Sequence, residues 1–341
     1  MIRRDLLLGI GSSAWLAACA TLSGSEELVV EDHTIAASDG DIRLFMHNKR
    51  MRRSGAPRAD RTVLFLHGLT YPGSTAFDLQ LGGHSWMDDL ARLGFDTWSV
   101  DIRGFGRSTR PSAMDQPASA NPPLLDAEIA TTDVASAVHF IKAHRGIARL
   151  VIVAWSWGTV LGARFASNEP RAIEKLVLYA PVWKWRPDKP VPKAPPGAYR
   201  SVTRETARRI WLNGVPAAEQ AALIPPGWFD LWADATWATD AQGARLDPPV
   251  LRAPNGPLVE VVAHWESGRA MFQPERITAP TLLAVGEWDG TTPPYMARDL
   301  QPLLVNATRT RLEVIPGGTH QVFLERNREL LFAAVRSWLL G

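Results

Sequence analysis

Three residues of this chain have the side-chain types that nucleophilic catalysis by a serine uses. Ser156 is followed by Asp289 and then by His320. A serine hydroxyl becomes a strong nucleophile when a histidine takes its proton and an acid fixes the tautomer of that histidine. The sequence therefore predicts attack by Ser156 on a carbonyl carbon, with His320 as the base and Asp289 as the acid that orients it. Water then releases the acyl-enzyme.

The residues around Ser156 are typical of a sharp turn between a buried strand and a helix. The apolar run 150–154 predicts a strand that is buried on both faces, and residues 159–167 predict a helix. Ala154 and Gly158 are small, so strand and helix can approach closely and the turn can expose the hydroxyl. The alternative interpretation is an ordinary serine at a helix N-terminus.

The acid and the base each follow a predicted strand as well. Asp289 lies in the loop after residues 281–285, and His320 lies in the loop after residues 311–315. The carboxyl ends of parallel strands meet at one edge of a sheet, so we expect these side chains to lie together. Glu287 competes for the role of the acid. It lies two residues earlier, at the predicted strand end, and Asp289 is therefore preferred.

The order of these residues and the motif around the serine resemble the α/β-hydrolase family. The resemblance extends from about residue 29 to the end of the chain, apart from one insertion. It implies that the loop His67-Gly-Leu69 helps to stabilise the oxyanion, with the backbone N–H groups of Leu69 and Trp157 as donors. Ala154 departs from the family glycine two residues before the serine, and we expect its methyl group to be tolerated.

Predicted strands alternate with predicted helices over most of the chain, which indicates an α/β fold with a mostly parallel central sheet flanked by helices. The strands are predicted over residues 28–35, 42–47, 62–66, 95–100, 150–154, 175–180, 281–285 and 311–315. The helices are predicted near residues 85–93, 126–144, 159–167 and 321–340. We therefore assign residues 29–182 and 270–341 to an α/β-hydrolase core.

Residues 183–269 interrupt the alternation and show no clear strand. Half of the fourteen tryptophans fall in this segment: Trp183, Trp185, Trp211, Trp228, Trp232, Trp237 and Trp265. Members of the family that the chain resembles often carry a helical lid at this point, which implies an inserted, tryptophan-rich helical lid over Ser156. We expect two or three of the rings to wall an apolar pocket and the others to hold the lid together.

Composition and spacing exclude several other kinds of site. The 37 basic and 35 acidic residues give a formal net charge of +2, and no basic block exceeds the short stretch 49–53, so we predict no nucleic-acid partner. The histidines lack metal-ligand spacing, and Gly104-Phe-Gly106 is not followed by a third glycine at dinucleotide spacing. We therefore predict neither a metal nor a cofactor, and the expected partner is a small-molecule ester or amide substrate.

The N-terminal residues are typical of an export signal. An arginine pair at positions 3 and 4 precedes an apolar stretch that is too short to span a bilayer comfortably. Leu16-Ala-Ala-Cys19 resembles the lipobox of bacterial lipoproteins, which are cut before the cysteine and lipidated on it; a plain secretory signal is the alternative. The arginine pair also resembles a twin-arginine signal, so the export route stays open. We predict a signal peptide over residues 1–18, lipidation of Cys19, a tether over residues 19–28 and anchoring at a membrane of the bacterial cell envelope.

Three functions are compatible with the sequence. The leading hypothesis is a carboxylic-ester hydrolase for small to medium, largely apolar esters. The second is a peptidase or amidase related to prolyl aminopeptidases, because residues 156–158 and 103–108 resemble theirs, although Ala154-Trp155 replaces their glycine pair. The acids that could hold an α-amino group are Glu205, Glu260 and Glu266. The third is a lipoprotein that only binds a ligand on the hydrolase fold, although such proteins usually lack a triad member.

Replacing Cys19 by Ser should release the protein to the soluble fraction or leave its signal unprocessed, because the thiol is the predicted site of lipid attachment. The catalytic constants of folded material should not change. Membrane fractionation and mass spectrometry of the mature N-terminus check this expectation. A soluble wild-type protein with an intact N-terminus or a free Cys19 thiol would contradict it.

Overall fold

The computed structural model describes residues 27–52, 55–186 and 190–341 of the chain. The predicted signal peptide, the predicted lipidation site Cys19 and most of the predicted tether lie outside the described residues. Within the described ranges, no helix is long and apolar enough to cross a membrane.

A mostly parallel sheet forms the centre of the molecule. The strands in the described part of the chain are β1 (Leu28–Ala36), β2 (Arg43–Met51), β3 (Thr62–Leu66), β4 (Asp96–Asp101), β5 (Leu150–Trp155), β6 (Ile173–Tyr179), β7 (Tyr199–Val202), β8 (Leu251–Pro254), β9 (Thr281–Gly286) and β10 (Thr310–Ile315). Eight of these form one sheet in the order β1-β2-β4-β3-β5-β6-β9-β10. Only the pairings β1–β2 and β2–β4 in that sheet are antiparallel. The predicted α/β fold is confirmed.

Helices cover both faces of the sheet. The α-helices of the described ranges are α1 (Gly73–Phe77), α2 (Trp86–Arg92), α3 (Ala127–Arg145), α4 (Trp157–Asn168), α5 (Arg204–Trp211), α6 (Gln220–Leu223), α7 (Trp228–Trp237), α8 (Gly256–Ser267), α9 (Pro294–Leu300) and α10 (Arg328–Leu340). Side chains of β5 alternate between the two faces. Its even-numbered residues pack in an apolar cluster with α3, α4 and α9, and its odd-numbered residues pack in a second cluster with α2 and α10. The central strand is therefore buried on both sides.

Residues 183–269, here called the cap, lie between β6 and β9 and contain α5 to α8. The expectation that this segment holds no strand is wrong, because β7 and β8 pair antiparallel, with Tyr199 opposite Pro254. Each strand has only four residues, which is too short for a recognisable alternation. Trp211, Trp232 and Trp237 of the cap are almost fully buried, and they belong to the same apolar cluster as the odd-numbered residues of β5.

The helix predicted over residues 321–340 is wrong at its start. Only a 3-10 turn occupies Val322–Leu324, and α10 begins at Arg328. The N–H of Val322 donates to the hydroxyl of Tyr179 at 3.1 Å, and the N–H of Thr319 donates to the carboxyl of Glu325 at 3.2 Å. Side chains therefore fix the backbone on both sides of His320 in an irregular conformation before the helix starts.

Candidate active site

Ser156 occupies the turn between β5 and α4 in a conformation that L-residues rarely adopt. Its φ is 56° and its ψ is −127°. Such a backbone costs about 1–3 kcal/mol and persists only when the surroundings enforce it. Here the N–H of Ser156 donates to the carbonyl of Tyr179 at 3.0 Å, and the Ser156 carbonyl accepts from the hydroxyl of Thr159 at 2.6 Å. The turn holds the serine at the carboxyl end of β5.

The small residues on either side of the serine allow this turn. A Cβ at Gly158 would lie 2.5 Å from the carbonyl oxygen of Leu66, so α4 approaches the backbone of β3 more closely than any side chain permits. Ala154, which stands where the family glycine was expected, faces another glycine. A Cβ at Gly162 would lie 3.3 Å from the Cβ of Ala154. The missing side chain at Gly162 therefore leaves room for the additional methyl group.

The three residues predicted to do chemistry lie together. His320 Nε2 is 2.8 Å from Ser156 Oγ, and His320 Nδ1 is 2.8 Å from Asp289 Oδ2. Asp289 accepts hydrogen bonds from the N–H groups of Thr291 and Thr292 and from the hydroxyl of Thr292, at 2.8–2.9 Å. Ser156, His320 and Asp289 are all buried, and Asp289 is only 2% exposed. This arrangement can move a proton from the serine to the histidine and stabilise the resulting imidazolium.

Glu287, the competing acid, has a different environment. Its carboxylate accepts a hydrogen bond from the N–H of Gly317 at 2.9 Å, and its own N–H donates to the carbonyl of Ile315. The side chain is exposed, whereas Asp289 is buried against the imidazole. Its position favours a role in holding the ends of β9 and β10 together.

The loop that carries His320 is fixed by residues that the sequence did not single out for that purpose. The indole N–H of Trp155 donates to the carbonyl of His320 at 2.7 Å. The hydroxyl of Tyr179 donates to the carbonyl of Thr319 at 2.8 Å. Both side chains come from the ends of neighbouring central strands. The odd-numbered position of Trp155 on β5 indicated which face it occupies, but nothing in the sequence indicated its partner.

Glu325 joins the cap to the histidine loop. It is fully buried and accepts a hydrogen bond from the indole N–H of Trp211, in the cap, at 2.8 Å. It also accepts from the N–H and the hydroxyl of Thr319, the residue before His320. Burial raises the pKa of Glu325 to about 7. The carboxyl of Glu325 therefore changes charge near neutral pH, and it does so in contact with the loop that holds His320.

The predicted oxyanion donors lie beside the serine. A Cβ at Gly68 would be 3.1 Å from the Cβ of Ser156, so the loop between β3 and α1 runs directly past the nucleophile. Leu69 follows in that loop, and Trp157 is the first residue of α4, where a backbone N–H has no acceptor within its own helix. Both positions suit the predicted role.

His67 is placed as a structural residue. Its Nε2 accepts from the N–H of Ile102 at 3.0 Å, its Nδ1 is 2.7 Å from the carbonyl of Gly68, and burial lowers its pKa to about 4. The neutral imidazole ties β4 to the loop that carries the predicted oxyanion donor. The ring is committed on both nitrogens, so it is not available as a base.

A cavity of about 420 Å³ opens onto Ser156 and His320. Two of the cap tryptophans line it, Trp185 and Trp265, with ring centroids 4.6 Å apart. Its exposed surface is mainly apolar, and the other apolar side chains that contribute to it are the following: Leu69, Tyr71, Trp155, Val182, Pro192, Pro195, Val202, Ile210, Leu258 and Val261. Such a site suits a small or medium organic substrate.

The acids that could have held an α-amino group lie elsewhere. Glu205 and Glu266 are exposed, and Glu260 accepts a hydrogen bond from the N–H of Ala127 at 2.7 Å. Among the described residues that line the cavity there is no aspartate or glutamate, and its one charged side chain is Arg200. Sequence reasoning missed this arginine. The described residues also hold no cluster of side chains suited to a metal ion.

Comparison with known proteins agrees with this architecture. A family model described as alpha/beta hydrolase fold matches residues 61–327. A probable proline iminopeptidase from Streptomyces coelicolor is 36% identical over 80 residues, which cover 23% of this chain and only 22% of the relative's own length.

Solved structures show the same fold at low sequence identity. A bromoperoxidase from Bacillus anthracis has a TM-score of 0.60 and 16% identity, with 91% of this chain and 100% of that chain covered. An esterase from Thermogutta terrifontis has a TM-score of 0.53 and 20% identity, covering 91% and 98%. An esterase from Exiguobacterium antarcticum has a TM-score of 0.58 and 17% identity, covering 91% and 100%.

Asp289→Asn should lower kcat by several orders of magnitude, because an amide no longer favours the histidine tautomer that accepts the serine proton. Glu287→Gln is the matched control and should change kcat little, since its carboxylate bonds the backbone of Gly317. Steady-state kinetics on a chromogenic ester compare the two variants. Severe loss in Glu287→Gln and a mild effect in Asp289→Asn would reverse the assignment of the acid.

Glu325→Gln should change how stability depends on pH. The folded protein holds a proton on Glu325 up to about pH 7, whereas an unfolded glutamate releases it near pH 4.5. Between these values the folded state binds more protons, so the contribution of this carboxyl to stability falls as pH rises and is lost above about pH 7. Glutamine does not titrate, so the free energy of unfolding of the variant does not include this fall with pH.

The free energy of unfolding of Glu325→Gln, relative to wild type, should therefore rise by about 2 kcal/mol from pH 5 to pH 8. Urea unfolding at both pH values measures the difference. A difference that is independent of pH would show that Glu325 keeps one charge state over this range.

Proposed function

This chain belongs to the alpha/beta hydrolase fold family and is a hydrolase of that fold, and from this premise we propose that it cleaves carboxylic esters through an acyl-enzyme on Ser156. The observation that carries the proposal is the hydrogen-bonded series Ser156–His320–Asp289 at the floor of a mainly apolar cavity of about 420 Å³. The substrates are small to medium, largely apolar esters.

The mechanism follows from the geometry. His320 Nε2 takes the proton of Ser156 Oγ across 2.8 Å as the oxygen attacks the ester carbonyl. Asp289 holds the opposite nitrogen and stabilises the imidazolium. The backbone N–H groups of Leu69 and Trp157 stabilise the oxyanion, and loss of one such donor typically raises the barrier by about 3 kcal/mol. His320 then protonates the leaving alcohol, and a water molecule activated by the same nitrogen releases the acid.

The cavity supports an ester substrate over an aminopeptidase substrate. The similarity to a probable proline iminopeptidase favours the alternative function, a peptidase or amidase. That match covers only a small part of both chains. An enzyme that grips a free α-amino group needs a carboxylate beside the bond to be cleaved. Among the described residues around this cavity, the charged group is instead an arginine.

Activity on p-nitrophenyl butyrate, compared with proline p-nitroanilide, tests the proposal. We expect the ester to be hydrolysed and the anilide to be cleaved much more slowly, because the cavity offers a cationic amine no counter-charge. Preferential cleavage of the anilide would establish the peptidase alternative.

Labelling by a fluorophosphonate separates an enzyme from a ligand-binding protein. The wild-type protein should be modified at Ser156, and Ser156→Ala should not be. Mass spectrometry locates the label. A folded wild-type protein that is not labelled would favour the ligand-binding hypothesis.

His320→Ala should lose as much activity as Ser156→Ala, and the double variant should lose little more, since the two groups act as one unit.

A further inference from the structure

Arg200 lies on β7 of the cap and reaches into the cavity beside the loop that follows β3. Its Nη1 donates to the carbonyl of Pro254 at 2.6 Å. Its Nη2 donates to the carbonyl of Leu69 and to the hydroxyl of Thr70. Gly68 is in contact with Ser156, and Leu69 is the next residue in the loop. The guanidinium that bonds Leu69 therefore lies close to the place where the ester would react.

All the described partners of this guanidinium are neutral oxygens. Two buried arginines of the molecule are paired with carboxylates, Arg252 with Asp240 and Arg103 with Asp133. Arg110, which is partly buried like Arg200, also donates only to neutral oxygens but lies outside the cavity. No carboxylate of the described residues lies within 4.0 Å of Arg200. Arg200 is only partly buried, and a guanidinium without a counter-ion at such a position is stabilised by an anion that enters the cavity.

Arg200 keeps its charge although it is partly buried. Burial lowers the pKa of Arg200 to about 10, so the side chain remains a cation at neutral pH. A guanidinium has five N–H donors, and the three hydrogen bonds given above leave the Nε–H and one Nη1–H without an acceptor among the described residues.

We propose that Arg200 is a specificity-determining residue that binds a carboxylate on the substrate, so that the preferred esters are monoesters of short dicarboxylic acids. The proposal rests on the ester hydrolase function given above and replaces a largely apolar substrate by an ester with one anionic end. The ester group faces Ser156, the methylene chain contacts the apolar walls, and the free carboxylate supplies the counter-charge that the cavity lacks. Charge-assisted hydrogen bonds of this kind are among the stronger ones in proteins.

Matched pairs of methyl esters test the proposal. Monomethyl succinate, glutarate and adipate are each compared with methyl butanoate, pentanoate and hexanoate, in which a methyl group replaces the carboxylate. Release of methanol measures the rate for every ester. The quantity compared is the ratio of kcat/KM for the anionic ester to kcat/KM for the neutral ester. In the wild-type protein we expect a ratio above one for at least one pair.

Arg200→Met should lower that ratio by roughly ten- to a hundredfold, the range expected for hydrogen bonds to a charged group. Arg200→Lys keeps the charge and should retain part of the preference. Arg110→Met is the matched control, since Arg110 also donates only to carbonyl oxygens, of Gly104, Thr239 and Arg252, but does not line the cavity. It should leave the ratio unchanged.

The outcomes separate a binding role from a structural one and from failure of the proposed function. If Arg200 only braced the loop that holds Leu69, Arg200→Met would slow both esters equally and leave the ratio constant, which would overturn the inference. A wild-type protein that prefers the neutral ester of every pair would overturn it without any variant. A protein that hydrolyses neither ester and resists fluorophosphonate would instead refute the ester hydrolase function.

Discussion

The close approach of α4 to β3 is the constraint on which the rest of the site depends. It requires glycine at position 158, because the carbonyls of Leu66 and His67 occupy the space of a side chain. With the helix held there, Ser156 must turn through a positive φ, and its hydroxyl projects from the carboxyl end of the sheet. The same approach presents the N-terminus of α4 to the position of a developing oxyanion. A strained residue is therefore maintained by packing that extends well beyond it.

The cap contributes to each loop that supports the chemistry. Arg200 contacts the loop after β3, and Trp211 contacts the carboxyl that steadies the histidine loop. The carbonyl of Asn213 accepts from the N–H of Gly290, which follows Asp289, at 3.2 Å. A Cβ at Gly214 would lie 2.2 Å from the carbonyl of Trp288, so the cap backbone packs directly on the acid loop. The cap both covers the cavity and fixes the geometry beneath it.

The parts of the site that were predictable are those that each depend on a local pattern. The strand before Ser156, the small residues at positions 154 and 158 and the loops after β9 and β10 are all visible within a few neighbours in the sequence. Glu325 and Trp211 were not predictable as partners, because they are 114 positions apart and neither lies in a recognisable motif. The strands β7 and β8 were missed for a related reason: four residues carry too little periodicity, and the pairing alone defines them. Arg200 depends on that pairing for its position.

The two carboxyl groups behind His320 have environments that suit different charge states. Asp289 accepts hydrogen bonds from two backbone N–H groups and a hydroxyl in addition to the imidazole, which suits a carboxylate. Glu325 is buried more deeply, and both burial and the charge of Asp289 raise its pKa. Two adjacent anions would strengthen the base but would also repel each other across a desolvated loop. A proton on Glu325 leaves one negative charge to stabilise the imidazolium, and separation of neighbouring acids by environment is a common way to fix their roles.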